Sequence, residues 1–457
     1  MYPAPSPAGR NDSSKFIMVP TAGKRTLCTI SGATKIRAIF EFNTSIYAIA
    51  DSSVYKLTIN DTDKTATTTL IGTVSLAGER IFWDRNPTQI MFGDGGTSGY
   101  ILTPSTDTLS QITDPDFTGL SSVVFIDSYF MYSTPNTGLV HATAINDGSS
   151  IDPLDVTTAE ASPDNIVGLA SDKRELWVFG SKSVQIYWNA ANPTGFPFSV
   201  RDGAHINLGC AAAASIINFD NSLMWIDHRG FIVRANGYAP EVISTPDISA
   251  EIQSYTRFDD CFAYQHFDRG SLFAVFCFPS AKKTWAYDAV TQQWHERAYW
   301  NAAGEFEHDL TNCHAQYGKW DLVGDRQSGN IYILDKDTYT EGGNPIHRIS
   351  STKVFSNEFD LVGCDCLQLR VETGKSSPTD DEPYFMLRYS NDGGYVWSDE
   401  LWRSFGATGN YNKPITWNRL GTSREWMFEI RVTAPCKFAI IDAAVTVSGS
   451  SAVGGGQ

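Results

Sequence analysis

Residues 36–59, IRAIFEFNTSIYAIADSSVYKLTI, set three short apolar runs around two polar turns, and this unit returns along the first three quarters of the chain. Asn43-Thr44-Ser45 and Asp51-Ser52-Ser53 separate the runs, as hairpin connections require. In the third run Tyr55, Leu57 and Ile59 alternate with Val54, Lys56 and Thr58, the period of a half-buried strand. The middle run, IYAIA, is apolar on both faces, as befits a strand covered by sheets on either side. Equivalent triplets open at Ile81, Val123, Ile166, Ile216, Phe262 and His314. Their middle strands start near residues 46, 89, 129, 176, 223, 272 and 320, in steps of 40–49 residues. That step is the length of a propeller blade, whereas a β-solenoid needs a shorter period and a sandwich seldom repeats so evenly. The expected fold is therefore all-β, with a β-propeller of about seven blades (six to eight possible) over 31–345.

After residue 345 the rhythm changes. Lys353–Leu361, Leu367–Glu372, Tyr384–Tyr389, Lys413–Leu420, Trp426–Val432 and Phe438–Thr446 read as strands of a separate C-terminal β-sandwich or jelly roll over 346–447. Residues 448–457 are Gly/Ser-rich and read as a flexible tail. Residues 1–30, with Pro3, Pro5 and Pro7, read as an extended segment without regular structure. The best helical stretch is Asp247–Tyr255, where Ile248 and Ile252 lie one turn apart.

Charge narrows function. The chain carries 51 acidic against 35 basic residues, a net charge of −16, which opposes tight DNA binding through phosphate neutralisation. A surface that DNA passes without adhering remains compatible with it. The eight cysteines are scattered; only Cys364 and Cys366 are close, and a zinc site would need a second such pair. In a regular strand both of these thiols would face the same way. Reduced, buried cysteines in a protein made inside a cell are the expectation. No secretory leader and no apolar run long enough to cross a membrane is read, so no membrane insertion by this chain is expected.

Candidate chemical motifs resolve into turns. Ser390-Asn391-Asp392-Gly393-Gly394-Tyr395-Val396-Trp397 fits the Asp-box, S-x-D-x-G-x-[TV]-W. There Ser390 and Asp392 can bond the turn's own backbone, Gly394 permits positive φ, and Trp397 packs beneath. The box occurs in sialidases, so a glycan-binding or glycan-hydrolysing Asp-box propeller is the rival reading, with 12 Trp and 19 Tyr available to stack on sugars. Sialidases repeat the box across several blades; here it stands once, outside the propeller. Gly93-Asp94-Gly95-Gly96 lacks a following helix and reads as a hairpin loop. Asp61/Asp63 and Asp335/Asp337 read as solvated turns. His295–Glu296 fails as a dyad because neighbours in a strand face oppositely, and His308 with Glu307 or Asp309 is at most an isolated ligand set. No catalytic, cofactor or metal residue is assigned, and no enzyme activity is expected.

One stretch is more specific. Phe278-Pro279-Ser280-Ala281, then Thr284-Trp285-Ala286-Tyr287-Asp288, then Trp294-His295-Glu296-Arg297, resembles the pattern F-P-x-A-x-x-T-W-x-Y-D-x-x-T-x-x-W-H-E-R of the packaged-DNA-stabilisation family of short-tailed bacteriophages, the tail hub or nozzle proteins. Arg234–Tyr238 with Ile243–Pro246, Tyr317–Lys319 with Val323–Asp325, the Ser390–Trp397 box and Trp402-Arg403-Ser404 fit as well. The resemblance is strongest from about 210 to 435. It departs where the family often has Gly-His before the Phe-Pro strand and this chain has Arg269-Gly270-Ser271, a turn position. The resemblance implies a virion structural protein of the tail, made in the host cytoplasm. Its implied partners are itself in a ring of six copies, portal and adaptor proteins, and tail fibre, spike or needle proteins, with DNA only as transiting cargo.

Overall fold

The computed structural model describes residues 1–5, 16–159, 164–357, 360–372, 382–404, 406 and 414–449. The chain divides into two compact units. One combines Met1–Arg25, Val290–His295 and Leu334–Gln457, and the other Thr26–Ala289 and Glu296–Ile333.

In the larger unit the repeat becomes a succession of antiparallel sheets. Ile36–Phe42, Ser45–Ala50, Ser53–Asn60 and Thr65–Thr73 form the first, hydrogen-bonded in sequence order. The described residues contain six four-stranded sheets of this kind and a seventh with six strands, their first strands beginning at Ile36, Phe82, Ser122, Ile166, Ile217, Phe262 and Thr311. The seventh is completed from the other end of the chain: Gly23–Thr29 lies beside Asn330–Asp335. Ile30 N–H donates to Gly329 O (2.8 Å) and Thr29 Oγ1 donates to Asn330 Oδ1 (2.6 Å). First strands touch from the second sheet to the fourth and from the fifth to the seventh, and Thr311–Tyr317 packs on Ile36–Phe42. Phe40 meets Trp83 of the second sheet at 5.0 Å. The sheets thus close on themselves as a β-propeller.

The core lies between adjacent sheets, which is why second strands are apolar on both faces. Ile46 and Ala48 pack towards the seventh sheet with Leu322 and Ile331, while Tyr47 and Ile49 pack towards the second with Ile90 and Phe92. Polar two-residue turns let these strands reverse: Asp220 and Asn221 (φ 48° and 59°) take the left-handed backbone that such a hairpin needs. The expected helix forms at Pro246–Ser254. Thr245 caps it, its hydroxyl accepting from Ile248 N–H (3.4 Å), Pro246 opens it, and Ile248 and Ile252 are buried.

The smaller unit is a β-sandwich. One sheet runs Tyr2–Pro5, Phe16–Val19, Ala439–Gly449, Val362–Glu372, Ile415–Ser423; the other runs Arg348–Ser351, Glu425–Val432, Tyr384–Ser390, Leu401–Ser404. Leu367, Leu369 and Trp417 of the first meet Phe385, Leu387 and Trp426 of the second in one core. Each indole donates across it, Trp417 to Leu401 O (2.8 Å) and Trp426 to Val362 O (3.0 Å).

Two expectations are corrected. Residues 1–30 are not a single irregular segment: Tyr2–Pro5 pairs with Phe16–Val19, and Met18 pairs with Ile440. Pro3 and Pro5 are tolerated because theirs is the outermost strand, where a missing N–H leaves no partner unpaired. Cys364 and Cys366 do not share a face. A bulge between them shifts the register, leaving Cys364 buried with the core and Cys366 half-buried beside the exposed Gln368. All eight cysteines are free thiols. Of the Gly/Ser tail, residues 448–449 end a strand and 450–457 lie outside the described residues, as does Pro7.

Candidate functional site

The first strands of the propeller sheets enclose a channel of about 330 Å³. Its polar lining includes Arg37, Arg80, Asp84, Ser122, Asn312 and His314. The backbone fixes most of these. Arg37 donates to Asp51 O (3.0 Å), Leu76 O (2.9 Å) and Gly78 O, and lies 4.0 Å from Asp94. Asp84 accepts from Arg85 N–H (2.8 Å) and Phe125 N–H (2.6 Å), so it ties the second sheet to the third. Burial nonetheless pushes its carboxyl up to about 6, because desolvating the charge outweighs those two bonds. Asn312 Nδ2 donates to Ile36 O (2.7 Å) across the closure of the ring, and His314 Nε2 meets Asp321 (2.8 Å). Among the lining residues Asp84 is the one carboxylate.

The Asp-box turn closes on itself. Ser390 Oγ donates to Asp392 Oδ1 (2.7 Å) while accepting from Asp392 N–H (3.3 Å) and Gly394 N–H (2.8 Å). Asp392 Oδ1 also accepts from Val396 N–H (2.9 Å), and these donors hold its carboxyl below the usual range. Gly394 has φ 105°, and a Cβ there would sit 3.1 Å from Met427 Sδ. Trp397 is half-buried with the Arg388 guanidinium 5.3 Å from its ring centre. The side chains that define the box are spent on the turn.

The Phe278–Arg297 stretch builds the sixth sheet and its outer connection. Phe278 is fully buried against Tyr255 (5.4 Å, edge-on), and the Trp285 indole donates to the Tyr255 hydroxyl (3.1 Å). Pro279 caps a turn in which its carbonyl accepts from Lys282 N–H (3.1 Å). Thr284 Oγ1 accepts from the buried Asp309 N–H (3.1 Å), and Thr284 O from Arg297 N–H (2.9 Å). Tyr287 reaches Phe219 of the fifth sheet (6.2 Å), and Asp288 is buried. Arg297 Nη1 meets His266 Nε2 (2.6 Å), with its guanidinium 5.2 Å from the Phe273 ring centre. Trp294 is half-buried, and His295 is buried and stacked on Tyr2 (5.5 Å). Glu296 faces outward to Lys283 (2.8 Å), so His295 and Glu296 do point apart. From Phe278 to Asp288 the stretch is a packed part of the sixth sheet.

The remaining candidates are similarly engaged. Glu307 pairs with Arg326 (2.7 Å), which holds its carboxyl at about 2, and Asp309 Oδ1 accepts from Thr311 N–H (2.8 Å). His308 is buried and lowered to about 4 by desolvation. Among the described residues no three His, Cys, Asp or Glu side chains converge as a metal-binding group. Sequence reading missed Arg37, Arg80 and Asp84. A lone Arg or Asp flanking a strand carries no local signal; only closure of the ring brings them to one channel.

Comparison with known proteins gives a family for both parts. The description "Bacteriophage P22 Gp10, beta-propeller" matches residues 1–339, and "Bacteriophage P22 Gp10, beta-sandwich" matches residues 347–448. No curated protein matches the chain. Among solved structures it is similar to the computationally designed Ika8 protein, at 12% identity over 68% of this chain and 99% of that one, with TM-score 0.37. It is similar also to a chain of the Mitotic Checkpoint Complex (11%, 73% and 97%, TM-score 0.45). A third is the extracellular domain of a hybrid two component system from B. thetaiotaomicron (10%, TM-score 0.46), where the match takes in 75% of this chain and 44% of that one. With propeller and sandwich matched in order along one chain, the protein belongs to the bacteriophage P22 Gp10 family.

Proposed function

We propose that this chain, a structural protein of a phage tail by its family, assembles as a ring of six copies below the portal and adaptor. There it extends the DNA channel, helps retain the packaged genome, and supports attachment of a fibre, spike or needle. The observation that carries this reading is the ordered family match over 1–339 and 347–448. Physical features support it. The propeller's own channel, about 330 Å³, has the size of a small-molecule cavity and not of a duplex passage. DNA would therefore pass between copies of the chain rather than through any one propeller. A net charge of −16 disfavours adhesion to that DNA. Eight free thiols fit synthesis in a reducing host cytoplasm.

Sedimentation of the purified chain, alone and mixed with a short-tailed phage portal–adaptor complex, tests the proposal. The expected result is incorporation of six chains per connector, whatever the state of the chain alone. Failure to join its cognate connector, together with hydrolysis of a sialoside or another glycan, would sink it in favour of the glycan-acting rival.

A further inference from the structure

Arg80 is placed unlike any other charged group of the channel. It precedes the first strand of the second sheet, yet its guanidinium lies 3.6 Å from the ring centre of Phe262, in the sixth sheet. Its Nη1 donates to Asn312 O (2.6 Å), in the seventh. The side chain therefore crosses the channel. No carboxylate pairs with Arg80 among the described residues, and its other N–H groups find no protein acceptor there. The neighbouring charges are already engaged: Arg37 on three carbonyls, Asp84 on two backbone N–H groups, and Glu79 on Lys35 (2.7 Å). Arg80 is half-buried, and a guanidinium partly withdrawn from water is costly unless its donors and charge are matched; one carbonyl with an aromatic face matches it only in part.

We propose that the propeller channel is an oxyanion-binding site in which Arg80 clamps a small phosphate or carboxylate ligand on the Phe262 side of the lining. The planar fork of donors suits two oxygens of one such group. The volume, about 330 Å³, accommodates a ligand of this size with some of its water. A cationic pocket inside a chain of net charge −16 is feasible because exposed charges are screened over about 8–10 Å at physiological salt, whereas a half-buried one is screened less. The site belongs to the single propeller and stands whether or not the chain forms rings.

Isothermal titration of the full chain with inorganic phosphate, and separately with succinate, at ionic strength fixed by chloride, tests the site and distinguishes the two ligand sources. Saturable binding of one of them to the wild type is expected, weakened about tenfold or more in Arg80→Met and less in Arg80→Lys, which keeps the charge but loses the fork. Absence of saturable binding to the wild type, or equal affinity in Arg80→Met, overturns the proposal. Should Arg80→Met fail to fold, the melting temperature of the wild type and of Arg80→Lys decides. A phosphate- or succinate-dependent rise larger in the wild type supports the site. Equal rises, or none, reduce Arg80 to a strut between sheets and overturn it.

Discussion

Removing the side chain of Leu27 measures how far the propeller depends on a strand borrowed from the chain's beginning. Leu27 is 3% exposed on Gly23–Thr29 and belongs to the cluster that holds Ile331 and Ile333 of the seventh sheet and Ile46 and Leu57 of the first. Leu27→Ala deletes three buried carbons, about 2.4 kcal/mol at ~0.8 kcal/mol each, before any cavity is counted. With a partly relaxed cavity the loss becomes about 3–4 kcal/mol. Leu70 is the control: it lies on the outermost strand of the first sheet, is 56% exposed, and should cost no more than about 0.5 kcal/mol when changed to Ala. The assay is urea unfolding followed by fluorescence of the buried Trp177 and Trp225, which report on the propeller. With a slope of about 3 kcal/mol/M, Leu27→Ala should lower the midpoint by about 1 M and Leu70→Ala by less than about 0.2 M. Equal midpoints for the two variants would refute the reasoning, because Gly23–Thr29 would then not be closing the seventh sheet in solution.

Other outcomes follow from the same contacts. Ser390→Ala strips two backbone donors of their acceptor and Gly394→Val forces a branched side chain to φ 105° against Met427; each should cost the sandwich about 1–3 kcal/mol in thermal or urea unfolding. Thr284→Val leaves the buried Asp309 N–H unpaired and should cost about 1–3 kcal/mol, whereas the exposed Glu296→Gln should be close to neutral. Asp84 titrates at about 6 in the fold against about 3.8 unfolded, so between those values the folded state binds the extra proton and stability from this group falls as pH rises. The advantage of Asp84→Asn over wild type should therefore grow by about 2 kcal/mol from pH 4 to pH 7; the comparison must be between these two proteins, because buried His308, lowered to about 4, titrates with the opposite sign. Thiol labelling at pH 8 should be slow at Cys210, which is 1% exposed and whose thiol burial pushes up to about 12, and complete only on unfolding; rapid labelling of Cys210 in the folded chain would contradict its burial.

The repeating rhythm was legible because strand faces obey a two-residue period and hairpin turns have their own chemistry. Middle strands expected near 46, 129, 176, 223, 272 and 320 appear at Ser45–Ala50, Tyr129–Ser133, Glu175–Gly180, Ser222–Ile226, Ser271–Phe278 and Trp320–Asp325. The capped helix at Pro246–Ser254 and the self-bonded Ser390–Trp397 turn were legible for the same reason: their partners lie within a few residues. The C-terminal strands were read less well. Arg348–Ser351 and Leu401–Ser404 were missed because they are short and partly exposed, with a correspondingly thin hydrophobic pattern, and the strand expected over Lys353–Leu361 amounts to Phe355–Ser356 among the described residues.

By itself, then, the sequence determined what each segment is: strands of a repeating sheet and a second β unit. Only the tertiary structure decided which segments are partners. Gly23–Thr29 joins Asn330–Asp335 some three hundred residues away, and Tyr2–Pro5 and Phe16–Val19 extend the sheet of Ala439–Gly449. A strand's pattern records which face is buried but not whose edge it will meet, since backbone N–H and C=O groups are the same on every strand. The bulge that separates Cys364 from Cys366 and the reach of Arg80 from one side of a closed ring to the other are consequences of that pairing.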